Sequence, residues 1–309
     1  MNFVSVGELL IDFMPGNEEG VYIRKAGGAP ANAAVAAAKN GLSVGFCGRV
    51  GNDDFGRFLI RTLEEHKVTM LCPQPVNEAI TTMAFVSLNE DGDRSFTFAR
   101  KPGADEFLTC EDVDRAGVAQ ADLVHAGSCS LSKGSAAEAT VYALRSAKEA
   151  GKLVSFDVNY RNLMWNDDRE GCIAAVKDLL PLVDFLKISE EETDMLGVPA
   201  VEAGEHYGIA VVVETLGAAG ARCYWRGKTF TVEGRKAQCV DATGAGDAFW
   251  GGFLACLLQN GVRSTEDLKE ELLLKAMDYG NVAGWLCVQK KGAMESLPTT
   301  EEIRKILAE

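Results

Sequence analysis

The chain has 309 residues and a mass of 33.1 kDa, enough for two average domains or for one large α/β unit with a contiguous core. Its 31 Lys and Arg against 45 Asp and Glu leave a formal net charge of -14, which argues against nucleic-acid and anionic-membrane binders because both need a dense basic surface. A hydrophobic share of 47% with 25% charged residues excludes a largely disordered chain, and no apolar run reaches the roughly 20 residues that span a bilayer.

In chain order, residues 4–7 read as a first buried strand. The stretch Met1-Asn2-Phe3-Val4-Ser5-Val6-Gly7 lacks the basic region and small-residue cleavage site of a signal peptide, so the expected location is cytoplasmic. A helix is expected over 29–40, a strand over 44–50 and a helix over 55–66. Residues 82–88 and 94–100 read as two strands around the turn Asn89-Glu90-Asp91-Gly92-Asp93. Such a hairpin inside an α/β chain reads as a flap over the sheet edge where ligands bind, with an ordinary antiparallel edge hairpin as the alternative. Strands follow at 123–126, 153–157, 185–188 and 210–213, and helices at 135–150 and 169–180. This alternation predicts a mostly parallel sheet covered by helices on both faces. With no internal repeat or low-complexity linker, residues 1–309 are expected to form one domain with a small lid.

The run Asp241-Ala242-Thr243-Gly244-Ala245-Gly246-Asp247-Ala248-Phe249 carries the strongest chemical signal. Two glycines flank an alanine where a polar loop meets an apolar helix, so backbone N–H groups at the helix start can converge on an anion such as a phosphate. A carboxylate beside such a site cannot be a phosphate ligand, but Asp247 can take the proton from an attacking hydroxyl. The plainer alternative makes it a favourable acid at a helix N-terminus. The nine cysteines, no two closer than 16 positions, read as reduced, mostly buried thiols. His66, His125 and His206 form no zinc motif or triad. A dinucleotide fold is disfavoured because Gly244-Ala245-Gly246-Asp247-Ala248-Phe249 lacks the third glycine of GxGxxG.

The Asp241 to Phe249 run resembles the second signature of the PfkB carbohydrate kinases, the ribokinase-like family. Ala26-Gly27-Gly28-Ala29-Pro30-Ala31-Asn32-Ala33-Ala34, followed by Gly41 and Gly51, resembles the first signature. The resemblance implies a three-layer α/β/α sandwich with a small β-sheet lid, made of segments about 13–26 and 81–101, through which two copies could pair as a homodimer. It implies ATP-dependent phosphorylation of a primary sugar hydroxyl. The form of the first signature, with Asn159-Tyr160-Arg161 and Met164-Trp165, points to fructose. 2-Keto-3-deoxygluconate, or another sugar or nucleoside, is the alternative acceptor, and a non-catalytic sugar-binding protein would be expected to have lost Asp247 or the glycines beside it.

By the same resemblance Asp247 is the base, and the N–H groups of Gly244, Ala245, Gly246 and Asp247 form an anion hole for the γ-phosphoryl. Asp12, Gly27, Gly28, Asn32, Arg100, Asn159 and Arg161 would bind the sugar, with Asp12 directly after the first strand. Lys187, Thr215, Gly217, Gly220 and Asn281 would border ATP. Glu192, in Ser189-Glu190-Glu191-Glu192, would orient Mg²⁺ through water, with Ser189 departing from the family's Asn. Asp241, Thr243 and Ser296, together with Gly292 and Ala293, would form the potassium site of cation-activated relatives.

Overall fold

The computed structural model describes residues 1–18, 20–88 and 94–308. Short apolar runs form a nine-stranded sheet with the first strand, β1 (Phe3–Val6), in its interior. On one side of β1 lie β4 (Val44–Cys47) and β5 (Val68–Met70). On the other side follow β8 (Leu123–Gly127), β9 (Leu153–Asp157), β10 (Phe185–Ser189) and β11 (Val211–Thr215). These strands are all parallel, and the antiparallel strands β12 (Gly220–Trp225) and β13 (Lys228–Glu233) extend the far edge. Every residue of β1, β8 and β9 is buried, as a parallel sheet covered on both faces requires.

The flanking helices are α1 (Ala29–Lys39), α2 (Asp54–Glu65), α3 (Cys110–Ala116), α4 (Ser135–Glu149), α5 (Arg169–Leu179), α6 (Glu190–Leu196), α7 (Ala200–Tyr207), α8 (Ala245–Gln259), α9 (Glu270–Cys287) and α10 (Thr300–Leu307). The central helix α8 is apolar all round, with every residue from Ala248 to Leu258 buried. Its Trp250 is fully buried and donates to the Ser155 hydroxyl at 2.9 Å, which also meets His125 Nδ1 at 3.0 Å. Burial, followed by the charge of Lys187, lowers the His125 ring to about 3, so it is a neutral core group and not a proton carrier. All nine cysteines are free thiols and seven of them are buried, as expected. No helix among the described residues is long and apolar enough to cross a membrane.

A second sheet has the order β3 (Tyr22–Gly27), β2 (Leu10–Pro15), β6 (Met83–Leu88), β7 (Arg94–Ala99). The expected hairpin is β6 and β7, and its turn at 89–93 lies outside the described residues. It is not an edge of the large sheet, because β6 pairs in parallel with β2. Phe13 on β2 stacks on Phe85 of β6 at 4.8 Å and meets Phe55 of α2 edge-on at 5.6 Å. That aromatic contact fixes the small sheet against the body of the molecule.

The strand order sets where a ligand can enter. The chain leaves β1 toward β4 on one side and returns through β8 on the other, and at such a reversal an open parallel sheet leaves a crevice beyond the carboxyl ends of its strands.

Candidate active site

A cavity of about 780 Å³ lies at this place, lined by Glu8 after β1, Cys129 after β8, Asn159 after β9 and Ser189 at the end of β10. The first glycine motif shapes one wall. Gly28 has φ 108°, and a Cβ there would fall 2.4 Å from the Glu8 carbonyl oxygen; one on Gly27 would fall 2.1 Å from Asp12 Oδ2. Only glycine allows this loop to close on the β1–β2 connection. Asp12 stands within β2, one strand later than expected, and the turn between β1 and β2 carries it to the cavity. Loss of water, together with the charge of Asp247, raises the Asp12 carboxyl to about 7 against the pull of Arg161.

Asn32, near the start of α1, donates from Nδ2 to Asp247 Oδ2 at 2.8 Å, and its own Oδ1 has no partner among the described residues. The carboxylate of Asp247 is therefore aimed by a helix 215 residues earlier in the chain. Burial first, then the Asp157 charge, raises Asp247 to about 6, while Asn32, Lys187 and Arg161 pull it down. A carboxyl at that value is ionised at neutral pH yet basic enough to take a proton from a hydroxyl under attack.

Asp247 belongs to the first turn of α8, capped by the left-handed Gly244 with no side-chain cap, so backbone N–H groups at the positive end of the helix are not taken up by a capping side chain. Gly244, Gly246 and Asp247 line the cavity. Ala245 does not, and its N–H turns back to the Ala242 carbonyl at 3.2 Å, which corrects its expected place in an anion hole. Lys187 on β10 stands beside this turn: a Cβ on Gly246 would lie 3.3 Å from its Nζ. Its ammonium is shared by both Asp157 oxygens at 2.8 and 2.9 Å, with both residues buried. Burial works against the charge, but Asp157 and Glu192 outweigh it and raise Lys187.

Three expected sugar ligands have different fates. Arg161 lines the cavity, and its charge lowers both Asp12 and Asp247. Asn159 also lines it, at φ 35°. Arg100 does not line it. Its Nε and Nη2 donate to Asp105 at 3.0 and 2.7 Å and its Nη1 donates to Ser132 Oγ and the Met164 carbonyl at 3.2 Å, with Glu106 3.5 Å from Nε. Arg100 is thus a buried brace after β7 and does not line the cavity where the sugar was expected: Asp105 and Glu106, five and six residues on in the chain, claim its donors.

Glu192 lines the cavity, but its Oε1 and Oε2 accept the N–H groups of Tyr160 and Ser189 at 2.8 and 2.9 Å. Each oxygen keeps a lone pair for a metal-bound water. Thr215, Gly217, Gly220 and Asn281 lie outside the cavity. Thr215 pairs in register with Ser189 at its rim, and Asn281 donates to the carbonyls of Val232 and Glu233, tying α9 to β13. Asp241 accepts the N–H and hydroxyl of Thr243 at 2.9 and 2.7 Å and the Gly292 N–H at 3.1 Å, while Ser296 donates to the Ala293 carbonyl at 2.8 Å. The two segments expected around potassium are therefore joined through Asp241.

Two acids went unassigned in the sequence. Asp157 ends β9 opposite Lys187, a pairing across strands 30 residues apart that no linear motif signals. Glu8 is buried against the cavity; an acid directly after Gly7 and the first apolar strand was its visible mark.

A cavity lined by carboxylates and amides, joined to a helix start without a side-chain cap, is an arrangement suited to phosphoryl transfer in a doubly wound α/β fold. Residues 2–300 match the family described as pfkB family carbohydrate kinase, and the chain belongs to it. A fructokinase of Vibrio alginolyticus is 36% identical over 320 residues, covering 100% of both chains. The solved fructokinase of Xylella fastidiosa with bound ATP superposes with a TM-score of 0.89 at 30% identity, covering 99% of this chain and 98% of that one. The fructokinase of Vibrio cholerae O395, solved with fructose, ADP and calcium, does so at 0.86 and 34% identity, with the same two coverages, and a double mutant of it was solved with potassium.

Proposed function

We propose that this protein transfers the γ-phosphoryl group of ATP to a primary hydroxyl of fructose. The observation that carries the reading is Asp247, held by Asn32 in one cavity with Asp12 on the sugar side and the first turn of α8 on the phosphate side. Asp247 accepts the hydroxyl proton, the oxygen bonds to the γ-phosphorus, and the bond to the bridging oxygen of ADP breaks. The N–H groups at the start of α8 meet the charge that spreads over the phosphoryl oxygens, supported by Lys187 beside them.

Consumption of Arg100 by Asp105 favours a neutral sugar over 2-keto-3-deoxygluconate. A carboxylate there would have Arg161 and Arg169 as cations at the cavity wall while facing Glu8 and Asp12. Mg²⁺ accompanies ATP, with Glu192 reaching it through water. The Asp241, Thr243 and Ser296 junction is the place for K⁺, where it would steady the loop before α8. Val21, Tyr22 and Ile23, each 44–49% exposed at the edge of the small sheet, support pairing of two copies through the lid.

A panel of fructose, 2-keto-3-deoxygluconate, ribose and adenosine with coupled ADP detection, run in potassium and in tetramethylammonium buffers, tests the reading. Fructose should give the highest kcat/KM, with faster turnover in potassium. A kcat/KM for 2-keto-3-deoxygluconate about tenfold above that for fructose would overturn the substrate, since that ratio is a transition-state preference of roughly 1.4 kcal/mol.

A further inference from the structure

Glu8 is a buried acid to which the proposed phosphoryl transfer gives no part. It is 3% exposed. Its Oε1 accepts the Ala29 N–H at 3.2 Å, which caps α1 in place of the side chain that Gly28 lacks. One carboxyl oxygen is thereby explained. The other, Oε2, is buried without a partner among the described residues, although Glu8 lines the cavity together with Leu10, Asp12, Asn32 and Cys129. The cation closest in effect, Arg100, is committed to Asp105 and Glu106. A buried polar oxygen left unbonded is costly enough that native sites rarely keep one without a use.

We propose that Glu8 is a sugar-binding residue whose Oε2 bonds one hydroxyl of the ketose. This rests on the reading of the cavity as a fructose site. A hydroxyl suits the position in either protonation state, since it donates to a carboxylate and accepts from a carboxylic acid. Burial, opposed by its own backbone N–H and then by Arg100 and the Ala29 N–H, with Asp105 adding, raises the Glu8 carboxyl to about 8. The neutral acid that results is an environment for a polyol and not for a second anion. A capping acid alone would need one oxygen and would gain nothing from lining the pocket with the other.

The test uses the whole enzyme with fructose and its monodeoxy analogues. In Glu8→Ala the KM for fructose should rise about tenfold or more, while that for ATP stays within about twofold. The sharper readout is coupling. In the wild type one analogue, lacking the hydroxyl that meets Oε2, should bind worse than fructose, and in Glu8→Ala that difference should shrink to nothing while the penalties of the other analogues persist. If Glu8→Ala does not fold, Glu8→Gln keeps an oxygen for the Ala29 N–H and carries the test, with the same penalty changed at least about threefold. Unchanged penalties for every analogue in a folded variant, with fructose still a wild-type substrate, overturn the assignment of Glu8 alone. Absence of fructose turnover in the wild type overturns the fructose reading itself and the Glu8 assignment with it.

Discussion

Asp247 is where single-residue chemistry is most exposed to test. Burial raises its carboxyl to about 6 and that of Asp12 to about 7, the charge of Asp247 adding to the second. The acid limb of kcat/KM should therefore lie near 6, with activity rising as pH climbs through it because the base must be ionised. Removing the amide that lowers Asp247, in Asn32→Ala, should move this limb toward alkaline pH. Asp247→Asn keeps the shape and loses the base, so kcat should fall about 100- to 10,000-fold with ATP affinity nearly unchanged. A variant keeping more than a tenth of wild-type turnover would show that another group takes the proton. Asp247 was legible from its place at a glycine-rich helix start. Asn32 is expected from the sequence as a sugar-binding amide, but its bond to Asp247 spans 215 residues and is a product of the fold.

Among the elements, the parallel strands other than the short β5 could be read because burial on both faces leaves uninterrupted runs of Val, Ile, Leu and Phe, whereas β5 has the exposed Thr69 at its centre. Their ends were less secure: β4 stops at Cys47, three residues before the expected end, as the chain turns toward the crevice. The hairpin β6–β7 announced itself by its turn, yet its parallel partner β2 lies about 70 residues earlier, and no local pattern encodes that pairing. Strand β13 was missed because a half-exposed edge strand carries polar residues at alternate positions, and β12 beside it because Arg222 interrupts its apolar run. The small sheet holds Asp12 and Phe98, both of which line the cavity. It should close on the ternary complex and limit ATP hydrolysis by excluding water. Hydrogen exchange read over β2, β3, β6 and β7 should slow when fructose and a non-hydrolysable ATP analogue are added together. Equal exchange with and without them would mean that these strands do not act as a lid.

For the whole molecule, the resemblance captured the architecture because two glycine motifs about two hundred residues apart constrain a chain more than either alone. What escaped it is the electrostatic cost of gathering Glu8, Asp12 and Asp247 in one low-dielectric crevice. That cost predicts an unusual pH dependence of stability. The unfolded chain releases the protons of Glu8 and Asp12 near their ordinary values of 4.5 and 3.8, whereas the folded chain holds them to about 8 and about 7. Above about pH 5, folding therefore takes up protons, and stability falls as pH rises until both carboxyls have ionised. His66 and His125, lowered by burial, act in the opposite sense, but only below their ordinary 6.5. From pH 6.5 to 8.5 the carboxyls thus set the slope, and a net charge of -14 adds to it. The Tm of the free enzyme should drop by about 3 °C or more over this range, and Glu8→Gln, which has no proton to lose, should flatten the decline. Thermal melts followed by circular dichroism measure both. A wild-type Tm that stays level or rises from pH 6.5 to 8.5 would mean that these acids are already ionised in the folded chain and that the crevice is better solvated than its burial implies.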